Sequence, residues 1–383
     1  CGVPLPATEF HVDKRSLASD MLTALDLLTA NDTPGQHPPS YYAATANRQT
    51  AHPVLDGSHT CTVCVIGGGY TGLSAALHLA ERGVDVILLE ANRIGWGASG
   101  RNGGQVGSGQ RMDQTVLEER HGKSHARLLW DLAEDSKALV KDLIIKHQIA
   151  CDYTPGILHA DHRKSFVEES RDYVEHLRLV YGYEDIRFVG PDEIGEQVGS
   201  PRYYGGSLDT GAGHLHPLNF ALGLGQAAEA AGARIFEETK VTGIDGQGTG
   251  RITVRTGQGD VRADHVILAC NGYLGRLDRQ TAAHVMPINN FIVATEPFSE
   301  DEAQQIIRNN VAVADSKFVI NYFRLSADRR LLFGGGENYG YRFPEDIKAF
   351  VREPMLEIFP QLSDVAIDFG WGGTLAITPK RMP

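Results

Sequence analysis

Residues 61–72 read CTVCVIGGGYTG, and a helical pattern, a short apolar run and Glu90 follow them. The apolar first half predicts a β-strand, and the spaced glycines predict a tight turn into a helix. In a turn of this kind Gly67 permits the sharp bend, Gly69 lets the backbone approach a pyrophosphate, and Gly72 permits close packing of the helix on the sheet. The motif therefore predicts a dinucleotide-binding unit.

The residues after the glycine turn continue the same pattern. Apolar residues from Leu73 to Ala80 recur at the spacing of one helix face, and residues 84–89 are typical of a buried parallel strand. Glu90 follows Gly67 by 23 residues, close to the interval of about 20 at which a carboxylate accepts hydrogen bonds from ribose hydroxyls. This acid disfavours a 2′-phosphate and so argues against NADP. A glycine-rich turn in an ordinary α/β protein is the alternative.

A second glycine-rich stretch, residues 95–109, follows the second strand almost directly. Its glycines leave backbone N–H groups uncovered against a flat ligand, while Ser99, Arg101, Asn102 and Gln105 offer side-chain donors. Open α/β sheets bind ligands in the loops at the carboxyl ends of their strands. We interpret this stretch as a ligand-binding loop, with a flexible surface loop as the alternative.

Composition and charge indicate a large globular enzyme. The 383 residues suggest two or more lobes, and 42% hydrophobic residues are ample for a core. A net charge of −12 argues against nucleic acid and anionic membrane surfaces as partners and favours cationic ligands. The sequence contains no apolar stretch near the length of about 20 residues that spans a bilayer.

The cysteines indicate the cellular compartment. Five cysteines, an odd number in a long chain, are typical of a reducing environment, so we expect a cytoplasmic protein. Cys61 and Cys64 have the spacing of a redox motif, but positions i and i+3 of a strand point to opposite faces. We therefore expect two buried thiols that point apart.

The later sequence returns to the strand pattern of the first unit. A helix is predicted from Pro217 to Gly232, and strands are predicted over residues 233–236, 241–245, 252–256 and 266–269. The last strand delivers Gly272 to the sheet edge that carries the first glycine turn. The dinucleotide-binding lobe is therefore discontinuous, which is more typical of an FAD domain interrupted by a substrate domain than of a continuous NAD-binding half.

These features together resemble the superfamily of FAD-dependent amine and D-amino-acid oxidases, which includes glycine and sarcosine oxidases, and within it the γ-glutamylputrescine oxidases. The likeness extends from Ser40 to the C-terminus. Its motifs are residues 40–42, the Gly67 turn, and residues 97–105, 214–217, 322–336 and 371–374.

The resemblance implies FAD as the cofactor and assigns residues to it. In this family the first glycine turn holds the pyrophosphate, Glu90 the adenosine ribose and the backbone of Val241 the adenine. The second glycine-rich loop borders the isoalloxazine, and Gly272 closes over the cofactor. The full implied set is Gly67, Gly69, Tyr70, Thr71, Gly72, Glu90, Ala91, Gly97, Ala98, Ser99, Arg101, Asn102, Gly103, Gly104, Gln105, Val241, Ala269, Gly272 and Gly373.

The resemblance also implies a fold, an α/β architecture in which a discontinuous Rossmann-like FAD-binding domain carries an inserted α+β substrate domain of mainly antiparallel sheet. An apolar helix face over residues 17–28 and a Pro-rich break after it predict a docking arm and linker over residues 1–39. We expect FAD-binding segments at 40–111, 212–275 and 360–383 and substrate segments at 112–211 and 276–359. The family continues beyond the region of Trp371 with another glycine-rich segment, so the third FAD-binding segment is expected to be incomplete.

The implied reaction is oxidation of the carbon–nitrogen bond of an amine by hydride transfer to flavin N5, followed by hydrolysis of the imine to an aldehyde. γ-Glutamylputrescine or a related polyamine derivative is the favoured substrate, with O2 or an electron carrier as acceptor. Sarcosine, glycine or D-amino-acid oxidation or dehydrogenation is the alternative. A nicotinamide-dependent dehydrogenase and a non-catalytic flavin-fold protein are the rival classes.

Tyr322, Arg324 and His214 are the candidate substrate residues. Strand alternation places Phe318, Ile320, Tyr322 and Arg324 on one face. Arg324 could pair with a carboxylate and Tyr322 could bind a cation with its ring; a core tyrosine and a surface arginine are the alternative. His214 and His216 share the alternating spacing of metal ligands, but the neighbouring sequence has no third ligand, so we expect no metal site. Lys317, Asn289 and Asn290 are further candidates without an assigned place.

Overall fold

The computed structural model describes residues 27–48, 50–246, 248 and 250–379, and two β-sheets organise this part of the chain. Its strands, in chain order, are β1 Gly57–Ile66, β2 Val86–Leu89, β3 Gln105–Val106, β4 Thr154–Ala160, β5 Ile186–Val189, β6 Gly206–His214, β7 Arg234–Phe236, β8 Gly243–Asp245, β9 Ile252–Arg255, β10 Gly259–Leu268, β11 Met286–Thr295, β12 Ala312–Asp315, β13 Tyr322–Leu325, β14 Leu331–Asn338 and β15 Ile367–Ile377.

The helices of the same residues connect and cover these strands. They are α1 Tyr41–Ala44, α2 Tyr70–Ala80, α3 Gln114–His121, α4 Lys123–Lys146, α5 Val167–Tyr181, α6 Pro191–Gln197, α7 Pro217–Ala230, α8 Arg279–Ala282, α9 Glu300–Ile306 and α10 Ile347–Ile358. Single 3₁₀ turns lie at Leu27–Thr29, Ala98–Gly100, Lys164–Phe166, Asn271–Tyr273 and Pro360–Leu362.

The first sheet has the strand order β7-β2-β1-β10-β9-β8. Strands β7, β2, β1 and β10 are parallel to one another, and β9 and β8 continue the sheet in antiparallel fashion. Val63 and Val65 face the core beneath helices α2 and α7, whereas Cys64 and Ile66 face the core on the other side, as strand alternation requires. The βαβ unit predicted from the glycine turn is present.

The second sheet has the order β15-β11-β14-β13-β12-β4-β6-β3, with β5 also paired to β6. The β12–β4 pair is parallel and its other pairs are antiparallel. Helix α10 contributes Val351, Met355 and Ile358 to the core on the face of this sheet away from the first one. The predicted fold class, a Rossmann-like unit combined with a mainly antiparallel α+β unit, is confirmed.

Three local features differ from expectation. The strand predicted over residues 318–324 begins only at Tyr322, and Phe318 is 80% exposed because residues 316–319 form a bend before the strand. Strand β15 pairs with β11 in the second sheet, although residues 360–383 were assigned to the FAD-binding domain. The helix predicted over residues 17–28 lies almost entirely outside the described residues.

The two neighbouring thiols of β1 also differ from expectation. The N–H groups of Thr62 and Val63 both donate to the carbonyl oxygen of Asp85, and this bulge interrupts the alternation of the strand. Cys61 and Cys64 therefore lie in the same hydrophobic cluster and do not point apart, although both are buried as expected. Both are free thiols. Among the helices that the structure describes, none is long and apolar enough to cross a membrane.

Candidate functional site

The glycine turn between β1 and α2 has no space for side chains at two of its positions. Gly67 has a φ of +111°, and a Cβ there would lie 2.5 Å from the carbonyl oxygen of Ala269. A Cβ at Gly72 would lie 1.9 Å from the carbonyl oxygen of Gly67. Helix α2 therefore starts directly on the turn, next to the exposed Thr71. The first N–H groups of a helix lack intrahelical acceptors, which suits an anionic pyrophosphate.

The second glycine-rich loop packs against this turn. Ser99 Oγ accepts a hydrogen bond from the Tyr70 N–H group at 3.0 Å, and a Cβ at Gly69 would lie 2.8 Å from the same oxygen. Asn102 donates to the carbonyl oxygens of Ala98 and Ser99, and its Oδ1 accepts from the Gly104 N–H group at 2.8 Å. Ser99 and Asn102 were predicted as donors to a cofactor. In the structure their side chains form hydrogen bonds that stabilise the conformation of the two glycine-rich loops.

Glu90 lies at the end of β2 with its carboxylate directed back at the turn. Its Oε2 accepts from the Gly68 N–H group at 2.7 Å and its Oε1 accepts from the Asn92 N–H group at 2.8 Å. Burial raises the pKa of Glu90, although these backbone hydrogen bonds act in the opposite direction. Val241 is half-buried and packs against the hydrophobic cluster of the first sheet that contains Cys64 and Ile66. Ala91, in contrast, is exposed.

Two segments from later in the chain, residues 269–273 and 372–375, pack next to each other and against the second glycine-rich loop. A Cβ at Gly272 would lie 3.1 Å from the carbonyl oxygen of Leu375, and a Cβ at Gly97 would lie 3.4 Å from the ring of Tyr273. A Cβ at Gly373 would lie 3.2 Å from Arg101 Cβ. The structure therefore brings Gly97, Ala269, Gly272 and Gly373 to the two glycine-rich loops.

Arg101 is buried and bound to the arm that precedes the first sheet. Its Nη1 lies 2.9 Å from Asp32 Oδ1, and both side chains are almost fully buried. Its Nε donates to the carbonyl oxygen of Trp96 at 2.7 Å, and Nη1 also donates to that of Gly372 at 3.2 Å. Nη2 has no hydrogen-bond partner among the described residues. Asp32 was not among the site residues predicted from the sequence, because it lies 69 residues from Arg101 and no local sequence pattern connects the two.

Tyr322 lies between the second sheet and the second glycine-rich loop. A Cβ at Gly103 would lie 2.7 Å from the Tyr322 ring, and the Tyr322 hydroxyl donates to Asn290 Oδ1 at 2.5 Å. Burial raises the pKa of Tyr322 well above its ordinary value, so the phenol is neutral. Tyr322 and Asn290, both considered from the sequence, are thus neighbours beside the loop, whereas Lys317 pairs with Glu357 at 2.8 Å elsewhere.

Arg324 has its donors directed at oxygens of the protein itself. Nε donates to Gly103 O at 2.8 Å, Nη1 to Leu325 O at 3.2 Å, and Nη2 to Leu215 O at 2.9 Å and to the Tyr42 hydroxyl at 3.2 Å. The prediction that Arg324 pairs with a substrate carboxylate does not fit this geometry. The contacts instead join the glycine-rich loop, the segment before α7 and the second sheet. Gln105 also joins the glycine-rich loop to the second sheet, because its Nε2 donates a hydrogen bond to Val313 O at 3.1 Å.

His214 and His216 lie beside Arg324 and line a cavity of about 140 Å³. His214 Nε2 donates to Asn310 O at 2.7 Å, and its Nδ1 is buried with no partner among the described residues. Burial and the charge of Arg324 lower the pKa of both histidines to about 4, so both rings are neutral. His216 Nδ1 accepts from the Asn219 N–H group and caps helix α7.

A second cavity, of about 150 Å³, lies where β11 and β15 meet the loop after β14. Buried Asn289 and Thr374 lie next to it, joined by a hydrogen bond of 2.7 Å. Thr374 also connects the cavity to the first lobe, because its N–H group donates to the Tyr273 hydroxyl at 3.3 Å. In the part of the chain that the structure describes, no cluster of three or more His, Cys, Asp or Glu residues is arranged to hold a metal ion.

Comparison with known proteins assigns a class to this arrangement. Residues 62–383 match the family model described as "DAO: FAD dependent oxidoreductase". The fold is also that of solved enzymes: glycine oxidase from Geobacillus kaustophilus has a TM-score of 0.67 at 20% identity, covering 85% of each chain. L-Proline dehydrogenase from P. horikoshii has a TM-score of 0.65 at 22% identity, covering 85% of this chain and 83% of its own.

Two curated relatives are closer in sequence. A probable oxidoreductase, OrdL, of Rhizobium meliloti (strain 1021) is 43% identical over 344 residues, 90% of this chain and 80% of the relative. The gamma-glutamylputrescine oxidoreductase of Escherichia coli (strain K12) is 43% identical over 352 residues, 91% of this chain and 81% of the relative. The chain is an FAD-dependent oxidoreductase. It belongs to the DAO family, as the sequence predicted.

The residues present fit an FAD. The glycine turn excludes side chains where a pyrophosphate approaches the start of α2, and a carboxylate at the end of β2 suits ribose hydroxyls. The loop of residues 97–105 lies beside both, with glycine at the positions where Tyr322 and Leu215 come closest. These are the groups that would hold the cofactor's pyrophosphate, ribose and ring system.

Proposed function

We propose that this chain oxidises the carbon–nitrogen bond of an amine, with γ-glutamylputrescine or a related polyamine derivative as substrate. The observation that carries the proposal is the 43% identity to a gamma-glutamylputrescine oxidoreductase over most of both chains. The glycine turn alone would also fit a nicotinamide-dependent dehydrogenase. The match of residues 62–383 to a family of FAD-dependent oxidoreductases favours FAD as the hydride acceptor.

Each part of the site has a separate role in the proposed reaction. Residues 67–72 bind the pyrophosphate, Glu90 binds the ribose, and residues 97–105 with Gly272 and Gly373 surround the ring system. Bound FAD supplies the acceptor for the hydride equivalent that leaves the carbon beside the amine nitrogen. The protein orients that carbon and keeps water away from it.

Tyr322 is proposed to contact the substrate on the side of the second sheet. Its ring lies against Gly103, and its hydroxyl is held by Asn290. An amine must lose its proton before it is oxidised, and a partly buried site with neutral neighbours lowers the pKa of an ammonium group. Neutral Tyr322 provides such surroundings.

The reaction leaves an imine, which water hydrolyses to an aldehyde and an ammonium ion. The electrons then pass to O2 or to an electron carrier. We further propose that the chain acts in the cytoplasm, since its odd number of cysteines and the free buried thiols suit a reducing compartment. We also propose that the FAD-binding domain comprises residues 40–111 and 212–275, the segments that supply the strands of the first sheet.

The visible absorption spectrum of the FAD-loaded protein tests this proposal. The protein is loaded with FAD, freed of unbound cofactor and mixed anaerobically with γ-glutamylputrescine. We expect the visible absorption of the flavin to bleach, and an aldehyde to accumulate once an acceptor is admitted.

The outcomes separate the competing interpretations. Bleaching by sarcosine, glycine or a D-amino acid but not by γ-glutamylputrescine would assign the chain to amino-acid oxidation. Bound flavin that no amine bleaches, or a protein that retains no FAD, would support a non-catalytic member of the family.

A further inference from the structure

A row of side chains crosses the second sheet on the face that carries Tyr322. Ala314 of β12 is the strand partner of Tyr322 on one side and of His159 of β4 on the other. Directly paired residues emerge on the same face of a sheet. Val313 and Leu158, which precede Ala314 and His159, pack in the hydrophobic cluster of the opposite face. Tyr322, Ala314 and His159 therefore share one face.

The surface between Tyr322 and His159 is open. Tyr322 leans away from β12, because a Cβ at Gly334 of β14 would lie 2.1 Å from its ring and its hydroxyl donates to Asn290 of β11. Ala314 has only a methyl group as its side chain and is half-buried. Neighbouring strands lie about 4.8 Å apart, so β13 and β4, with β12 between them, are separated by roughly 10 Å. The three residues therefore form a groove with Ala314 as its floor.

His159 is the polar side chain on the far side of this groove. It is exposed, and among the described residues its ring has no hydrogen-bond partner. Burial nevertheless lowers the pKa of His159, while the charges of Asp209 on its own sheet face and of Asp113 before α3 act in the opposite direction. An exposed ring that protein surrounds in this way lies in a recess of the molecule, and it is neutral near pH 7.

The groove lies beside the second glycine-rich loop. Gly103 of this loop lies against the Tyr322 ring, since a Cβ there would be 2.7 Å from it. Gln105 binds the strand of the groove floor, because its Nε2 donates to Val313 O of β12 at 3.1 Å. The loop that the proposed function places around the flavin ring system therefore borders the groove on the Tyr322 side. His159 lies across the groove from Tyr322.

We propose that His159 binds the amide group of the substrate, across the groove from the carbon–nitrogen bond that is oxidised. The inference rests on the proposed oxidation of γ-glutamylputrescine, in which a butylene chain separates the reacting amine from an amide. A neutral imidazole has one N–H donor and one nitrogen acceptor, which match the carbonyl oxygen and the N–H group of an amide. His159 thereby selects amines with an amide at the far end of the chain over simple alkylamines.

Binding of unreactive ligands tests this inference without turnover. γ-Glutamylbutylamide keeps the amide and lacks the amine that would be oxidised, and in its carbon analogue methylene groups replace the amide. Calorimetric titration of the FAD-loaded wild type is expected to give a Kd about tenfold lower for γ-glutamylbutylamide, the factor that corresponds to about 1.4 kcal/mol. The carbon analogue binds more weakly because it leaves the imidazole without a partner.

His159→Leu removes both hydrogen-bonding nitrogens. It is expected to raise the Kd of γ-glutamylbutylamide about tenfold and to leave that of the carbon analogue unchanged, which removes the preference between them. His159→Gln keeps a donor and an acceptor and should restore most of the preference, an effect that a purely structural role of the ring would not produce. His265→Leu, which replaces an exposed histidine on β10 of the first sheet, is the matched control and should keep the preference.

The kinetics of γ-glutamylputrescine oxidation give a second readout. His159→Leu should raise the KM and leave kcat near the wild-type value, because the amide does not react.

The results distinguish this inference from the proposed function. If the wild type binds both unreactive ligands equally, or if His159→Leu keeps the wild-type ratio of Kd values, the amide site at His159 is overturned even where γ-glutamylputrescine is oxidised. If γ-glutamylputrescine does not bleach the flavin but γ-glutamylbutylamide binds with the expected preference, the proposed amine oxidation fails and the amide site stands.

Discussion

Gly72 lies in the first turn of helix α2, where a Cβ would be 1.9 Å from the carbonyl oxygen of Gly67. That oxygen belongs to a backbone turn joined at its N–H group to Leu89 of the neighbouring strand, so it cannot move alone. A residue without a side chain at position 72 is therefore a condition for the turn and the helix to pack together.

Gly72→Ala is expected to destabilise the protein by about 1–3 kcal/mol, the usual penalty for overpacking, and to reduce the fraction of FAD that survives gel filtration. Thermal unfolding and the flavin content per chain measure the two effects. Gly195→Ala is the control, since a Cβ at that helical position meets no atom within 4 Å. Equal flavin content in both variants would contradict the assigned role of the turn.

Glu237 is a second residue whose surroundings decide its properties. Burial alone would raise the pKa of Glu237, but hydrogen bonds from His52, Ile94 and Arg93 lower it from 4.5 to about 2. Because the folded-state pKa is lowered, the carboxylate contributes stability above its unfolded pKa, and this contribution is lost as the pH falls toward about 2.

Glu237→Gln is therefore expected to lower the unfolding temperature most near neutral pH. The gap between wild type and variant should shrink between pH 4.5 and about 2. Scanning calorimetry across this range measures it, and a gap independent of pH would show that the carboxylate charge is not the cause.

At the scale of elements, the N-terminal arm at residues 27–39 is joined to the body through short polar contacts. Asp32 pairs with Arg101, Asn31 holds the loop at Tyr341, and Gln36 O accepts from Trp96 Nε1 at 2.7 Å. The arm thus lies over the second glycine-rich loop and contributes to the pocket beside Asn289.

Asp32→Asn leaves the buried guanidinium of Arg101 without its counter-charge. Breaking one side of a buried ion pair typically costs about 3–5 kcal/mol, so we expect a lower unfolding temperature and faster proteolysis of the arm. Asp56→Asn changes an exposed carboxylate and is the control. A stability of Asp32→Asn equal to that of the control would mean that Arg101 finds its compensation elsewhere.

At the scale of the whole molecule, the two sheets are held together by side chains from the second sheet that bind the loops of the first. Arg324 contacts Gly103 O and Leu215 O, and Trp371 Nε1 donates to Arg101 O at 3.0 Å. These contacts fix the distance between the glycine-rich loop and the face that carries Tyr322.

Arg324→Lys keeps the charge but cannot reach four oxygens at once, because an ammonium lacks the planar fork of a guanidinium. We expect a lower unfolding temperature and weaker FAD retention, with no selective rise in KM for substrates that carry a carboxylate. Arg262→Lys, at an exposed position, is the control. A rise in KM confined to carboxylate-bearing substrates would restore the role first predicted for Arg324.

The sequence by itself determined the βαβ unit, because glycine spacing and apolar periodicity report local backbone geometry and burial directly. The resemblance of its motifs to those of known proteins indicated the FAD-dependent family. Only the tertiary structure decided what the polar side chains do. Arg101 binds Asp32, Arg324 binds backbone oxygens, and β15 joins the second sheet through contacts between residues far apart in the chain. Local patterns carry no record of such partners, since a hydrogen bond depends on where the folded backbone places both groups.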